Sequence, residues 1–325
     1  MIHARIRTAS GEILRDPGST DLHALLEDPG NLVWLDLESP TADELGLVAG
    51  ILGWEQLTVE DLTGQGQRAK LERFDTYSYL VMHALSYELP AGGGENKLTT
   101  PEIDFIIGNN YVASVHYVHL PHITESREVN EHSKALLGHG VDYILYVLTD
   151  RLVDSYFPVL DQMNDAVDLL EDSIVTSPSD KLMSRIFDMK RDAMVLRKVT
   201  SPQLEVFTRL TTPGYGVVSE ANAIYFRDVH DHLIRVFEST DSYRELMSGA
   251  LDAYLSTVSN RMNEVMKRLT VMAALFLPIT FFTGVFGMNL REQPIWDDPI
   301  FWVFVGSMFG VSVFQWVYFR RKGWV

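Results

Sequence analysis

Two apolar runs near the C-terminus decide the fold: Leu269–Met288 (LTVMAALFLPITFFTGVFGM) and Ile300–Phe319 (IFWVFVGSMFGVSVFQWVYF). Each run has 20 residues and no charged side chain. An α-helix of that length crosses the hydrocarbon core of a bilayer, which is about 30 Å thick. Both runs are therefore predicted to be transmembrane helices. Two such helices cannot enclose an aqueous path, so a conducting protein would need several copies of the chain.

Basic residues flank the pair of runs on its two outer sides. They are Arg261, Lys267 and Arg268 before the first run and Arg320, Arg321 and Lys322 after the second. The loop between the runs contains one basic residue, Arg291. The positive-inside rule then predicts a multi-pass protein of the cell inner or plasma membrane with both termini in the cytoplasm. Met1–Leu14 agrees, because it has no apolar core of signal-peptide length.

The composition is strongly acidic. The 325 residues include 27 basic and 44 acidic side chains, which gives a formal charge of -17. Such a surface attracts cations and repels nucleic acid, so a nucleic-acid-binding protein is not expected. The lack of cysteine excludes disulfides, thiolate nucleophiles and cysteine-ligated zinc. The sequence also has no HExxH, GxSxG or phosphate-binding glycine loop, and we therefore do not expect an enzyme.

The N-terminal part alternates between strand-like and helical patterns. Helical stretches are predicted near Ala42–Leu52 and Glu125–Leu137. The β-like runs are Ile2–Arg7, Val33–Leu37, Tyr79–Tyr87, Ile103–Ile107 and Val112–Tyr117. Residues 1–138 are therefore predicted to form a cytoplasmic α/β domain.

From about Asp142 the apolar residues follow a helical period. One seam runs through Leu145–Leu170 and a second through Leu182–Leu196, and the sequence SPSD at 177–180 separates them. This pattern predicts two helices that form an antiparallel hairpin. Acids recur on another face of the first helix, where they form either a solvated surface or a stripe that concentrates cations: Asp150, Asp154, Asp161, Asp165, Asp168 and Asp172.

A third helical pattern starts after Pro213 and contains no proline before Pro278. Its apolar seam consists of Val229, Leu233, Val236, Tyr243, Met247, Tyr254, Val258, Met262, Val265 and Leu269. A helix from about residue 220 to 288 would be on the order of 100 Å long, which suits a stalk between cytoplasm and bilayer. The predicted fold class is thus an α+β membrane protein, with a helical hairpin and stalk over residues 139–268 and a transmembrane hairpin with a basic tail over 269–325.

The first apolar run ends in Phe286-Gly287-Met288-Asn289. Glycine and asparagine commonly end helices, so the triplet alone is also explained as a C-cap. At the outer end of the first of two C-terminal spans, however, it resembles the signature of the CorA family of magnesium and divalent-cation channels. Further stretches that resemble this family are Asp142–Phe157 (DYILYVLTDRLVDSYF), Arg227–His232 (RDVHDH), Ser259–Thr270 (SNRMNEVMKRLT) and Leu277–Phe281 (LPITF).

The resemblance implies a homopentameric funnel in membrane lipid, in which the first spans line a pore for divalent cations. Asn289 matches the family's outer selectivity ring, and Asn263 matches its polar ring at the cytoplasmic mouth. Met266 and Leu269 match its apolar constriction. The remaining pore candidates are Ala273, Leu277, Thr280, Gly284, Gly287 and Met288, and helix–helix packing is the alternative role for all ten residues. The implied ion is Mg²⁺, with Co²⁺, Ni²⁺ or Zn²⁺ as alternatives, because the loop reads LREQPIWDDP where the family often has MPEL.

The resemblance also implies a regulatory Mg²⁺ site on the stalk. Asp228 matches the family carboxylate that helps to hold a metal ion between adjacent subunits, and Asp252 is a second candidate. A solvated surface acid is the alternative for both. His230 and His232 do not suggest a zinc site, because side chains two residues apart on a helix point away from each other. The alternative function is a membrane-tethered sensor of divalent metal that has no pore.

Overall fold

The computed structural model describes residues 1–17, 19–88, 97–128, 137–176, 179–212, 214–288 and 299–324. The chain divides into two compact units. One unit comprises Met1–Asp172 with Asp180–Ala250, and the other comprises Ser173–Ser179 with Leu251–Val325. The predicted domain boundaries at 138 and 268 describe a different division and stay a prediction.

A seven-stranded mixed sheet forms the centre of the α/β region. Its strands are β1 (Ile2–Arg7), β2 (Ile13–Arg15), β3 (Leu32–Glu38), β4 (Lys70–Arg73), β5 (Ser78–His83), β8 (Glu102–Ile107) and β9 (Tyr111–His116). The order in the sheet is β2-β1-β3-β9-β8-β5-β4, with β3 and β9 parallel. A separate hairpin consists of β6 (Ser86–Glu88) and β7 (Lys97–Thr99).

The described helices fall into a short N-terminal group and a long C-terminal group. The short helices are α1 (Ser19–Glu27), α2 (Ala42–Leu52), α3 (Gln56–Gly64) and α4 (Pro121–Glu128). The long group consists of α5 (Val141–Asp154), α6 (Tyr156–Thr176), α7 (Asp180–Leu210), α8 (Ala223–Phe286) and α9 (Pro299–Arg321).

Both faces of the sheet are covered, which explains the nearly continuous apolar strands. On one face Leu35 and Val115 belong to a core with Leu45 of α2 and Leu62 of α3. A capping box fixes the start of α2, since Thr41 and Glu44 each accept a hydrogen bond from the other's backbone N–H. The opposite face of the sheet packs against α5.

The strand predictions are confirmed in position, with one difference in β5. The predicted run Tyr79–Tyr87 is two strands, β5 and β6, which belong to different sheets. The N–H of Ala84 donates to the carbonyl of Pro101 at 2.8 Å, but Pro101 has no N–H to donate in return, so the ladder is interrupted there. The predicted helix over 125–137 starts earlier, at Pro121, and residues 129–136 lie outside the described part.

The helix predicted from Asp142 is interrupted at Ser155, which was not expected. Pro158 explains the break. Proline has no backbone N–H to donate to the carbonyl of the residue four positions earlier, and its ring crowds that carbonyl. The hydroxyl of Ser155 donates to the carbonyl of Leu152 at 2.6 Å. The seam residues on either side of the break are nevertheless buried, from Leu145 on α5 to Leu170 on α6.

The antiparallel hairpin is confirmed by side-chain contacts between its helices. The hydroxyl of Tyr156, at the start of α6, donates to Gln203 near the end of α7 at 2.9 Å. As residue numbers rise along α8, those of the contacting residues on α7 fall: His230 contacts Thr208 at 3.1 Å, and Asp241 pairs with Arg197. Helix α7 is therefore antiparallel to both α6 and α8.

Helix α8 is 64 residues long, or about 96 Å at a rise of about 1.5 Å per residue. Its seam is buried from Val229 to Tyr254, whereas Val258, Met262 and Val265 are exposed. Within the described residues, α8 and Trp302–Arg321 of α9 are the two helices long and apolar enough to cross a membrane. Their most apolar windows are 6% and 0% buried, so neither apolar segment is buried inside the chain.

Candidate ion path and metal cluster

The predicted pore residues lie on α8 or directly after it. Those on the helix, called the ion face below, are Asn263, Met266, Leu269, Ala273, Leu277, Thr280 and Gly284, and all of them are exposed in the single chain. Gly287 and Met288 follow the helix and are also exposed. Asn289 lies outside the described residues. Their role as pore residues stays a prediction.

Helix α9 packs against α8 on the side away from the ion face. Val271 is buried, and the ring of Phe282 contacts that of Phe304 with centroids 5.0 Å apart. At 3.6 residues per turn, Val271 and Phe282 lie roughly opposite Ala273. The second span of the chain thus leaves the ion face uncovered.

On the C-terminal side of Lys267 and Arg268, the ion face has oxygen atoms but no ionised side chain. On this face the hydroxyl of Thr280 donates to the carbonyl of Phe276 at 2.9 Å, and beside it the hydroxyl of Thr270 donates to the carbonyl of Met266 at 2.7 Å. These bonds use the hydroxyl protons and leave oxygen lone pairs free to accept hydrogen bonds. Such a face can interact with the water shell of a cation without binding the bare ion tightly.

The helix ends at the Gly-Met-Asn triplet. The N–H of Gly287 donates to the carbonyl of Thr283 at 2.9 Å, and that of Met288 to the carbonyl of Val285 at 3.3 Å. Gly287 and Met288 therefore close the last turn of α8, whereas Asn289 lies outside the described residues. This does not conflict with a selectivity role for Asn289, because a helix end also frees backbone carbonyls.

A second group of polar side chains lies between α5 and α8. Asp150 and Asp154 on α5 face Asp228 and His232 on α8, and these four residues are called the acid–histidine cluster below. His232 Nδ1 lies 3.1 Å from Asp154 Oδ1, and its Nε2 lies 3.9 Å from Asp228 Oδ2. The ligand atoms of Asp150, Asp154 and His232 are all within 4.8 Å of one another.

The cluster places several carboxylates where they repel one another. Burial and the neighbouring carboxylates of Asp154 and Asp228 raise the pKa of Asp150 to about 6, against the opposing charge of His232. Bringing a divalent cation to this position would offset that repulsion. The carboxylate oxygens suit Mg²⁺, whereas the imidazole of His232 suits a transition-metal ion such as Zn²⁺ or Ni²⁺.

The comparison with protein families decides the identity of the chain. The model of the CorA-like Mg²⁺ transporter protein family matches residues 29–321. This chain belongs to the CorA-like Mg²⁺ transporter family. The family consists of membrane transporters, in agreement with the two apolar C-terminal helices.

Individual CorA relatives match nearly the whole chain. The cobalt/magnesium transport protein CorA of Thermotoga maritima is 31% identical over 322 residues, which cover 97% of this chain and 90% of that protein. The putative metal ion transporter YfjQ of Bacillus subtilis is 32% identical over 293 residues, covering 90% and 89%. The solved CorA magnesium transporter of Methanocaldococcus jannaschii has the same fold, with a TM-score of 0.83 at 20% identity over 100% of this chain and 99% of that one.

This CorA-family chain has another acid–histidine group, at the ends of the parallel strands β3 and β9. The negative charges of its carboxylates are balanced by neighbouring cationic side chains. Asp36 and His116 are buried, and His116 Nε2 lies 3.2 Å from Asp36 Oδ1. The guanidinium of Arg127 pairs with Asp36 at 3.2 Å and with Glu38 at 2.7 Å. Burial lowers the pKa of His116, but the hydrogen bond and charge of Asp36 raise it overall. These cations leave little reason for a metal ion, and the group is best explained as a buried structural network.

Of the four residues of the acid–histidine cluster, the sequence predicted only Asp228 as a candidate metal ligand and gave no such role to the other three. Asp252 is exposed on α8 and belongs to neither acid–histidine group within the described residues. His230 and His232 do point apart, as expected, because His230 meets Thr208 while His232 meets Asp154. The available signal was two pairs at i and i+4, Asp150 with Asp154 and Asp228 with His232. Of the acidic stripe, Asp150 is half-buried and the other five acids are exposed.

Proposed function

We propose that this chain is one subunit of a homo-oligomeric channel that conducts divalent cations, chiefly Mg²⁺. Binding of metal on the cytoplasmic side is proposed to close this channel. The observation that carries the proposal is the uncovered ion face of α8. Family membership and the transport functions of the relatives in Thermotoga maritima and Methanocaldococcus jannaschii support it. Cobalt is the second ion expected, with nickel and zinc after it.

The ion face suits a cation that keeps its water. Mg²⁺ gives up its octahedral water shell reluctantly, so charged ligands in the pore would slow its release. Thr280 offers a hydroxyl oxygen. Gly284 has no side chain, so a hydrated ion can come close to its backbone. Asn289 is proposed to form the outer selectivity ring, where its amide can hydrogen-bond to the waters of the ion. Met266 and Leu269 would form an apolar constriction that closes by dewetting.

Assembly follows from the exposed surface of α8. A single copy leaves Met262 and Val265 exposed before the apolar span and Leu269 exposed at its first position, and two spans cannot surround a water-filled path. Several copies related by a rotation axis would cover this surface and place the ion faces around that axis. Five copies are expected from the family, embedded in membrane lipid.

The acid–histidine cluster is proposed as the regulatory metal site. Without metal, the carboxylates of Asp150, Asp154 and Asp228 repel, and a bound divalent cation turns this repulsion into a bridge between α5 and α8. A further carboxylate from a neighbouring subunit would extend the bridge across the interface. Metal then favours the closed channel by the difference between its affinities for the closed and open states. Asp252 is the weaker candidate, because it stands outside the cluster.

Transport needs no chemical energy source in this mechanism. The protein is proposed to lie in an inner or plasma membrane with both termini in the cytoplasm. The ion path then runs from the Gly-Met-Asn triplet on the outer side to the stalk in the cytoplasm. An inside-negative potential favours the entry of a divalent cation by about 4.6 kcal/mol per 100 mV, twice the value for a single charge. Uptake is therefore proposed to be passive and driven by the potential. No residue is assigned a catalytic role.

The test is flux into liposomes that contain the purified full-length protein and a dye for divalent cations. We expect Mg²⁺ and Co²⁺ to enter faster than into protein-free liposomes, and entry to increase with an inside-negative potential. Metal binding at the acid–histidine cluster without any flux would instead support the membrane-tethered sensor. Flux that is independent of the potential would contradict the passive mechanism.

A further inference from the structure

A cleft of about 1030 Å³ lies between the α/β sheet and helix α7. Its walls come from the turn before β4, from the ends of β7, β8 and β9, and from the middle of α7. Five cationic side chains line it, and we call the cleft with these residues the basic cleft: Arg68, Lys190, Arg197, Lys198 and Arg244. Glu102 is the only carboxylate in its lining as described. This is a concentration of positive charge in a chain whose formal charge is -17.

Three of these cations have no counter-ion in the described part of the chain. Arg68, Lys190 and Lys198 form no ion pair there within 4.0 Å, although the protein has an excess of acids. The other two share one carboxylate, since Asp241 pairs with Arg197 and lies 3.9 Å from Arg244. Unpaired cations around one cavity repel one another and raise the local concentration of anions.

The carboxylate of Glu102 is already committed to the backbone. Its Oε2 accepts hydrogen bonds from the N–H groups of Gly66 at 2.6 Å and Gln67 at 2.7 Å. Gln65 and Gly66 both have positive φ angles, of 33° and 88°, and Glu102 holds this turn in place. Glu102 therefore shapes the wall of the cleft and does not neutralise the lysines on α7.

The cleft also has buried polar atoms without partners. His83 is only 7% exposed, and its Nδ1 makes no hydrogen bond to any residue that the structure describes. Oε1 of Glu102 is likewise buried without a partner. Buried polar atoms in folded proteins nearly always find a partner. Both residues line the cleft, so water or a polar ligand in it is the candidate partner for these atoms.

Apolar surface lies beside the cations. Val118 and Met194 are large apolar side chains that remain exposed, and the half-buried ring of Tyr117 adjoins them. This combination suits a ligand that has a flat organic part at one end and several negative charges at the other. The volume of the cleft lies just above the range of small-molecule sites, which span about 300–1,000 Å³.

We propose that the basic cleft binds a nucleoside polyphosphate, with its phosphates at Lys190, Lys198 and Arg68 and its base against Tyr117 and Met194. A single inorganic phosphate would engage the cations but leave the apolar wall unused. The chemistry of the cleft therefore favours a small ligand with both parts.

The experiment is calorimetric titration of the detergent-solubilised full-length protein with ATP, AMP and inorganic phosphate at a fixed free Mg²⁺ concentration. We expect one ATP per chain, bound at least about tenfold more tightly than AMP or phosphate because charge-assisted contacts to the polyphosphate add up. Lys198→Ala should weaken ATP binding by about tenfold. Lys198 is exposed, so this variant should fold normally, and its melting temperature and oligomer size verify that it does.

Lys181→Ala is the matched control. Lys181 is also an exposed lysine of α7 but lies outside the cleft, so ATP affinity should be unchanged. Equal affinities of wild type, Lys198→Ala and Lys181→Ala would overturn the proposal, as would a lack of ATP binding. Phosphate that binds as tightly as ATP would also overturn it and show an adventitious ion only. Because binding is measured directly, the result does not depend on whether the protein conducts ions.

Discussion

The two halves of α8 carry the same kind of apolar seam but differ in what covers it. In the cytoplasmic half, Leu233 and Val236 are fully buried against neighbouring helices of the same unit. In the second half, Val265 and Leu269 are exposed although the three- and four-residue spacing continues. The apolar seam of the cytoplasmic half is covered by other parts of the same chain. The apolar seam of the second half is not.

This difference shows that a periodic apolar pattern specifies a buried helix face without specifying what covers it. The first half of α8 finds its partners in α6 and α7, as the hydrogen bond from Tyr243 to the carbonyl of Leu160 shows. The second half is proposed to be covered by lipid on one side and by other copies of the chain on the ion face. If this account is correct, substitutions in the two halves should have different kinds of effect.

The largest effect is expected at the outer end of the uncovered half. Asn289→Ala removes the amide that is proposed to hold the hydrated ion, so divalent flux into liposomes should be abolished. Expression and oligomer size should not change. Ser307→Ala on α9 is the control, because that hydroxyl donates only locally, to the carbonyl of Phe304 at 2.8 Å. Wild-type flux through Asn289→Ala would remove this residue from the mechanism.

The same substitution made in each half compares them directly. Leu233→Ala should lower the free energy of unfolding by about 2–5 kcal/mol, because it leaves a cavity among buried neighbours. Leu269 is 59% exposed in the single chain, so Leu269→Ala should change stability by less than about 0.5 kcal/mol but increase ion leak through the closed channel. Denaturant unfolding and liposome flux measure the two effects. Equal destabilisation by both variants would show that the halves do not differ as proposed.

A smaller, regulatory effect is expected at the acid–histidine cluster. Asp228→Ala should raise the internal Mg²⁺ concentration that half-inhibits the current several-fold, with little change in ion selectivity, because it removes one carboxylate from the site. Asp231→Ala is the matched control: the two side chains are 62% and 65% exposed, but Asp231 is outside the cluster. Inside-out patches titrated with Mg²⁺ provide the measurement. An unchanged inhibition curve for Asp228→Ala would return this residue to the solvated surface.

The smallest effect is a pH dependence of metal stabilisation. The pKa of Asp150 is raised from 3.8 to about 6 in the folded chain, so without metal this group stabilises the fold at low pH and loses that contribution as pH rises through about 6. Metal binding requires the deprotonated carboxylate. The increase in melting temperature caused by Mg²⁺ should therefore be larger at about pH 7.5 than at about pH 5.

Asp150→Asn supplies the control for this pH dependence. The variant keeps the size of the side chain but cannot titrate, so most of the difference between the two pH values should disappear. Tyr146, Asp154, Asp228 and His232 also face Asp150 and remain present in the variant. A pH dependence that is as large in Asp150→Asn as in the wild type would assign the effect to one of them.

The sequence predicted the long-range organisation better than the local breaks. The spans and the 64-residue helix follow from runs whose length and period have few alternative explanations. The break at Ser155 was missed because Pro158 sits within a seam that continues on both sides of it. The strand β4 and the helices α1 and α3 were missed because they are short and only partly apolar.

The ion face and the acid–histidine cluster differ in the same way. The ion face lies on one continuous helix, so spacing alone places Ala273 and Thr280 on the same side. The cluster joins α5 and α8, and its contacting residues Asp154 and His232 are 78 positions apart in the sequence. Helical spacing predicts which side chains share a face of their own helix, but only the packing of the two helices shows which faces meet. The basic cleft was missed for the same reason.

The most direct test of the account is thiol modification of single-cysteine variants, which is clean because the chain contains no cysteine. Ala273→Cys places the thiol on the ion face, and Met272→Cys places it about 100° around the helix, on exposed surface proposed to face lipid. A cationic methanethiosulfonate reagent should block divalent flux through Ala273→Cys and leave Met272→Cys unaffected. Block of both variants to the same extent, or of neither, would contradict a pore lined by this face of α8.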